Sequence, residues 1–445
     1  MRLFGLKVQL SVYVSFLIAI LLTFISWNVN WTGNKWNGII KSDGKGYYAY
    51  LPAVFIYNDL NFGFFEEIEK EKYFDELIYY DYRSTFDDVK INKYYCGTSL
   101  AQLPFFIIAH SLSCRVGSDV DGYSKPYQIL INVAAIFYML AGLLFLNLLL
   151  GFYDIKEWQK SLILISTVFG TNLFYYVMAE PSMSHVYSFA FVSAFMYYSK
   201  ALFETQKSKY IFLIAFTLGV IVLIRPVNLI VVLIWPFLAG SLSNLIQAVL
   251  RLFRKKIFFV SGLLLFLLIV SIQFIIYKIS TGSFFVYSYQ DESFNFLNPA
   301  ISDILFSYKK GLFIYTPLYF LSFLGCYYLY KKSFFSCISY LLFFIILTYI
   351  FSSWWMWYYG GSFSSRVYIE FIPAFMLMLA FALQGVNNSK TKKYVLVSLI
   401  IALILACQIQ TYQYRYYRIH WSDMTKEMYW NEFLRIDHLI EEHKK

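Results

Sequence analysis

At 445 residues the chain is long enough for two or three soluble domains, but 59% of it is hydrophobic and only 14% charged, which excludes them and describes a polytopic membrane protein. The net charge of +10 does not mark a nucleic-acid binder, because the lysines and arginines fall in short clusters between apolar runs, as in cytoplasmic loops. The five cysteines are scattered, with no Cys-x-x-Cys and no metal-ligand spacing.

Apolar runs predict spanning helices at roughly 8–27, 126–149, 160–178, 183–203, 210–224, 227–240, 257–278, 312–330, 334–352, 367–385 and 394–411. The first lacks a small-residue cleavage site and leads into Trp27 and Trp31, so it reads as a retained helix. Positive clusters at Arg2 and Lys7, Lys156 and Lys160, Lys200 to Lys209, Arg251 to Lys256, Lys331 and Lys332, and Lys390 to Lys393 fall on every second loop. That alternation places the N-terminus in the cytoplasm.

The run 99–115 would reverse every later loop if it crossed, so it is expected as a juxtamembrane or re-entrant helix on the outer side. The expected fold is an all-α polytopic bundle of about 11 transmembrane helices over residues 1–411. Within it, 28–125 forms a long outer loop with juxtamembrane helices, and an outer tail follows over 412–445. Glu66 to Asp88 reads as a charged surface helix, and Cys96 and Cys114 would pair if both faced an oxidising compartment. No internal repeat appears, which argues against an inverted-repeat transporter.

Lys41-Ser-Asp-Gly-Lys-Gly-Tyr-Tyr opens the outer loop and sets Asp43 at headgroup depth, beside tyrosines (Tyr47, Tyr48, Tyr50) suited to the membrane boundary. A carboxylate there is a candidate general base; the plainer reading is an N-cap, with Gly44 and Gly46 as loop punctuation. Glu180, in Glu180-Pro-Ser-Met-Ser-His185, is the second candidate acid, or simply a first-turn residue ahead of Pro181. His185 is a candidate to orient a phosphate or sugar, or a satisfied core histidine.

Arg366, Lys93 and Arg225 are candidate anion binders on the outer side, where cations break the positive-inside rule; snorkelling is the alternative for Arg366. Trp355 and its aromatic neighbours suit stacking on a sugar face or interfacial anchoring equally well. Asp119-Val-Asp121 has the spacing of a metal-binding D-x-D but reads as a loop cap. No phosphate loop or H-E-x-x-H motif occurs, which disfavours a nucleotide-sugar donor; no cofactor is expected, and a divalent metal is compatible but not indicated.

With Asp43 in Ser42-Asp-Gly-Lys-Gly-Tyr-Tyr, Glu180 in Ala179-Glu-Pro-Ser-Met-Ser-His, and Asn92-Lys-Tyr-Tyr-Cys-Gly97 leading into Leu103-Pro-Phe-Phe, the chain resembles the GT-C superfamily of membrane glycosyltransferases. The subgroup it resembles holds the protein O-mannosyltransferases and the lipid A aminoarabinose transferase. The resemblance implies that Asp43 is the catalytic base, Glu180 a second acid in the site, and Lys93 and Arg366 holders of the donor phosphate. The sequence departs from the family in lacking a large soluble C-terminal domain and in its Tyr-rich outer loop, which leaves the acceptor open.

The expected activity is inverting transfer of a sugar from a polyprenyl-phosphate donor to a hydroxyl of a glycan, lipid or protein acceptor. It would run at the periplasmic face of a bacterial inner membrane, with membrane lipids and no nucleic acid as partners, and with Tyr47, His185 and Trp355 positioning substrate. The alternatives are a transporter or flippase of lipid-linked glycans and a non-catalytic envelope subunit.

Overall fold

The computed structural model describes residues 9–76 and 79–437, together with the backbone of Arg2–Leu3 and Leu6–Lys7, which pair antiparallel. The side chains of Arg2 and Lys7, and the end of the tail expected on the outer side from residue 438, lie outside the described residues.

Helix α1 (Leu10–Ser26) continues through a wide turn, Trp27–Trp31, into the long first loop. That loop carries α2 (Asp43–Pro52) and α3 (Gly97–Val116), and α4 (Lys125–Gly151) leaves it. The chain then runs through α5 (Glu157–Phe169), α6 (Leu173–Met178), α7 (Ser184–Thr205), α8 (Lys209–Ile224), α9 (Trp235–Ala239), α10 (Leu242–Arg254) and α11 (Lys256–Thr281). After a second aromatic loop come α12 (Ile301–Phe306), α13 (Leu312–Tyr315), α14 (Leu318–Ser322), α15 (Leu324–Lys332), α16 (Phe334–Ser352), α17 (Ile372–Gly385), α18 (Lys390–Arg415) and α19 (Lys426–Glu432). Ser241, Ser333 and Ser389 open α10, α16 and α18 as side-chain caps, each accepting from an N–H three residues on.

Six helices among the described residues are long and apolar enough to cross a membrane: α1 with its wide turn, α4, α11, α16, α17 with the 3-10 turn Arg366–Phe371, and α18. Of the other expected crossings, α7 and α8 are single helices, whereas 160–178, 227–240 and 312–330 are interrupted. Two breaks fall at Gly170 and at Pro317, where a proline removes a helix N–H, and 227–240 is a 3-10 stretch that becomes α-helix only at Trp235. This is a multi-pass, all-α membrane protein.

The spanning segment ending in α17 is 94% buried while that of α11 is 17% buried. A helix apolar all round is a core helix, so α17 is the central post; Leu263, Leu264, Leu267 and Leu268 of α11 face outward, where lipid covers them. The turn Arg366–Phe371 therefore enters the middle of the bundle, and a polar side chain on it is held away from lipid.

Three expectations are corrected. Glu66–Asp88 is not one surface helix: a helical turn at Glu66–Lys72 is followed by a hairpin, Arg83–Phe86 paired with Val89–Asn92. Nor is that turn fully solvated, for Glu69 is buried beneath the hydroxyls of Tyr82 and Tyr123, 3.6 Å from Lys45. Gly44 and Gly46 are not loop punctuation but lie inside α2. A Cβ at Gly44 would fall 2.0 Å from Ser182 Oγ and one at Gly46 2.4 Å from the Tyr94 ring, so glycine is what lets α2 approach its neighbours. Cys96 and Cys114 are both free, one buried and the other exposed. As expected, Asp119-Val-Asp121 is a cap: Asp121 accepts from the N–H groups of Tyr123 and Ser124, and Lys72 bridges both carboxylates at 2.7 Å.

Candidate functional site

A cavity of about 1770 Å³ takes its lining from every loop that the charge pattern assigns to the outer side, and from none of the loops with positive clusters. At its floor Asp43, the first residue of α2, meets Arg366, the first residue of the turn before α17. Arg366 Nη2 donates to Asp43 Oδ2 at 2.6 Å across 323 positions of sequence. Both side chains are largely buried, so the pair is charge-assisted and weakly screened. Burial opposes the Asp43 charge, but Arg366 and the Tyr94 hydroxyl outweigh it and hold the carboxyl below its ordinary range. The backbone before it is strained, with φ of 50° at Ser42.

Lys93 lines the same wall, and its ammonium contacts Glu292 at 2.5 Å. Tyr47 also lines the cavity, its ring 4.6 Å from that of Tyr94. Trp355 stands half exposed at the mouth.

Glu180, in the turn between α6 and α7, is buried in the cavity wall and accepts from the Tyr175 hydroxyl at 3.2 Å. Its Oε2 is buried without a partner. Burial raises the Glu180 pKa, against the pull of Lys41 and Arg366. The two carboxyls of the site are thus driven apart, Asp43 down and Glu180 up.

Arg225 reaches the cavity from the break between α8 and the following 3-10 turn, Pro226–Ile234. Its Nη1 lies 3.0 Å from Glu370 Oε1, and the same oxygen takes His185 Nδ1 at 3.0 Å. His185 does not line the cavity: it sits 2% exposed behind Arg225 and contacts Glu370, not a ligand space. The structure therefore brings Asp43, Glu180, Arg366, Lys93, Arg225, Tyr47 and Trp355 to one cavity and leaves His185 behind its wall.

The sequence reading missed several residues in or behind the wall of this cavity. Glu370 is fully buried one turn beyond Arg366; the signal was a lone carboxylate inside a spanning run. Lys41 and Arg415 line the cavity at opposite ends of the sequence. Lys310, 1% exposed, donates to the Ser362 carbonyl with its ammonium 4.7 Å from the Tyr414 ring centre, and burial lowers its pKa to about 7. Among the described residues no group of three His, Cys, Asp or Glu side chains is placed to hold a metal.

The chain thus combines a helical bundle, a long first loop carrying α2 and α3, and an aromatic cavity between loops and bundle. Among solved structures, the crystal structure of ArnT from Cupriavidus metallidurans bound to undecaprenyl phosphate matches with a TM-score of 0.51 at 12% identity. The match covers 90% of this chain and 64% of that one, so the present chain spans less than two thirds of ArnT. At that identity the likeness concerns the fold. No protein-family model and no curated protein sequence matches the chain.

Proposed function

We propose that the protein is an inverting glycosyltransferase that moves a sugar from a polyprenyl-phosphate donor to an acceptor hydroxyl at the periplasmic face of a bacterial inner membrane. The observation that carries this reading is the Asp43–Arg366 pair at the floor of a large aromatic cavity, within a GT-C fold. The solved ArnT binds undecaprenyl phosphate, which supports a polyprenyl-phosphate ligand for this fold.

In the reaction, Asp43 accepts the proton of the acceptor hydroxyl as its oxygen attacks the anomeric carbon. The bond from that carbon to the phosphate oxygen breaks with inversion, releasing polyprenyl phosphate. General base catalysis of this kind contributes roughly 10²–10⁴-fold. Charge develops on the departing phosphate, and Arg366, with Lys93 and Arg225, stabilises it there. A donor phosphate that draws Arg366 toward itself loosens the Arg366–Asp43 contact and leaves the carboxylate more basic. Glu180, with its unpartnered oxygen, orders acceptor or sugar hydroxyls; Tyr47 and Trp355 bound the sugar; His185 supports Arg225 through Glu370. No cofactor enters this scheme.

The test is sugar transfer by purified protein in detergent from a panel of polyprenyl-phosphate sugars, wild type beside Asp43→Asn. Transfer lost with donor binding retained is expected. Equal transfer by both forms removes Asp43 from catalysis, and no transfer from any donor by folded wild type favours a flippase.

A further inference from the structure

The cations lining the cavity differ in how they are compensated. Arg366 sits 2.6 Å from Asp43, Lys93 2.5 Å from Glu292, and Arg225 3.0 Å from Glu370. Each candidate anion binder read from the sequence is thus already held by a carboxylate. Lys41 and Arg415 are different: among the described residues neither has a carboxylate within ion-pair distance, though both line the cavity and both are partly buried. Lys35 also lines the cavity, but at its exposed rim.

Arg415 ends α18, and its Nη2 donates to Asn30 Oδ1 at 3.3 Å. Asn30 is itself buried and fixed by donating to the Met178 carbonyl at 2.7 Å. That contact aims the guanidinium and leaves its other N–H groups for a ligand. The turn that carries Glu180 ties the two cations together: Met178 accepts from Asn30, which holds Arg415, and Ser182 donates at 3.2 Å to the carbonyl of Ile39, two residues before Lys41, so the three groups form one cluster. Two cations face one carboxyl there, and the cluster keeps an excess positive charge even with Glu180 ionised. A partly buried surplus of charge beside a fork of N–H donors suits a phosphoryl group, which takes Arg bidentately and Lys as a point charge.

We propose that Lys41 and Arg415 form a second phosphoryl-anion subsite, distinct from the Arg366, Lys93 and Arg225 wall. Its use in transfer rests on the glycosyltransferase reading; its binding does not. The phosphoryl group comes either from the polyprenyl donor or from an acceptor that carries its own phosphate.

The experiment measures binding of two probes, undecaprenyl phosphate and glucose 1-phosphate, to full-length protein in detergent. Lys41→Met and Arg415→Met are compared with wild type, with Lys35→Met as the rim control. Each of the first two is expected to weaken one probe by about tenfold or more while Lys35→Met changes it less than about twofold. Loss confined to undecaprenyl phosphate identifies the donor as the source; loss confined to glucose 1-phosphate identifies the acceptor.

Lys41→Arg and Arg415→Lys, which keep the charge, are expected to retain most of the binding, so a folding defect in a Met variant does not decide the result. Unchanged binding of both probes by the Met variants, or no binding of either probe by wild type, overturns the proposal. A protein that transfers no sugar yet loses probe binding in these variants leaves this subsite standing and removes only the transferase reading.

Discussion

Glu370 is the residue whose removal most directly tests how the site is built. It is fully buried, and its Oε1 serves Arg225 and His185, each at 3.0 Å. In Glu370→Gln the shape survives but the charge does not, and Arg225, only 15% exposed, becomes a buried cation with no counter-charge. Removing one partner of a buried pair costs about 3–5 kcal/mol, chiefly because the other charge is stranded. The remaining amide oxygen still accepts one hydrogen bond, which sets the expectation near the lower end, about 3 kcal/mol. The assay is thermal unfolding in detergent, where a loss of that size lowers the apparent melting temperature by several degrees.

A second step separates stranded charge from lost packing. Adding Arg225→Met to Glu370→Gln removes the stranded cation, so the double variant is expected to regain most of the stability. Sugar transfer is not regained, because Arg225 itself faces the cavity. Wild-type melting in Glu370→Gln, or additive losses in the double variant, refutes the reasoning.

Two further outcomes are expected. Because Asp43 is held below its ordinary 3.8, kcat/KM for transfer is expected to stay level from neutral pH down through 4.5 and fall only below that; Arg366→Gln, which removes the main cation holding it there, moves the limb upward. A wild-type limb above 4.5 assigns the base to Glu180 instead, since burial raises that carboxyl above its ordinary value. Gly44→Ala puts a Cβ 2.0 Å from Ser182 Oγ and must push α2 away from the α6–α7 turn, so it is expected to abolish most transfer in protein that still folds; activity within about twofold of wild type contradicts the close-approach account.

Much of this architecture was legible because membrane burial is written one residue at a time. Apolar runs located the bundle, and the alternating positive clusters assigned the loops that later proved to line a single cavity. Asp43 and Glu180 were visible because carboxylates at the ends of spanning runs are conspicuous. Glu370 was hidden by the opposite circumstance: it lies inside the run 367–385, whose apolar average conceals one charge. The hairpin at 83–92 was within reach, since Thr85, Val89 and Ile91 flank Asp87-Asp88, and both aspartates adopt positive φ of 46° and 65°. The surrounding glutamates and lysines drew that stretch toward a helix. Gly44 and Gly46 carried no local signal at all, because what excludes a side chain there is Ser182 and Tyr94, distant in sequence.

The ion pairs explain how loops so far apart in sequence form one site. Asp43 is tied to Arg366 across 323 positions, Lys93 to Glu292 across 199, and Arg225 to Glu370 across 145. Two of the three pairs converge on a single turn, Arg366–Phe371, at the head of the most buried of the six spanning segments, so the post that holds the bundle also sets the spacing of the charges. Such a site has its cations in position before a ligand arrives, which limits reorganisation during the reaction. It also means that a ligand phosphate reaching Arg366 must compete with Asp43 for the same guanidinium. In the transferase reading that competition is productive: binding energy spent on the phosphate weakens the contact that keeps the base quiet, so donor binding precedes acceptor activation. An acceptor alone, which brings nothing to displace Asp43, meets a carboxylate still held by its arginine.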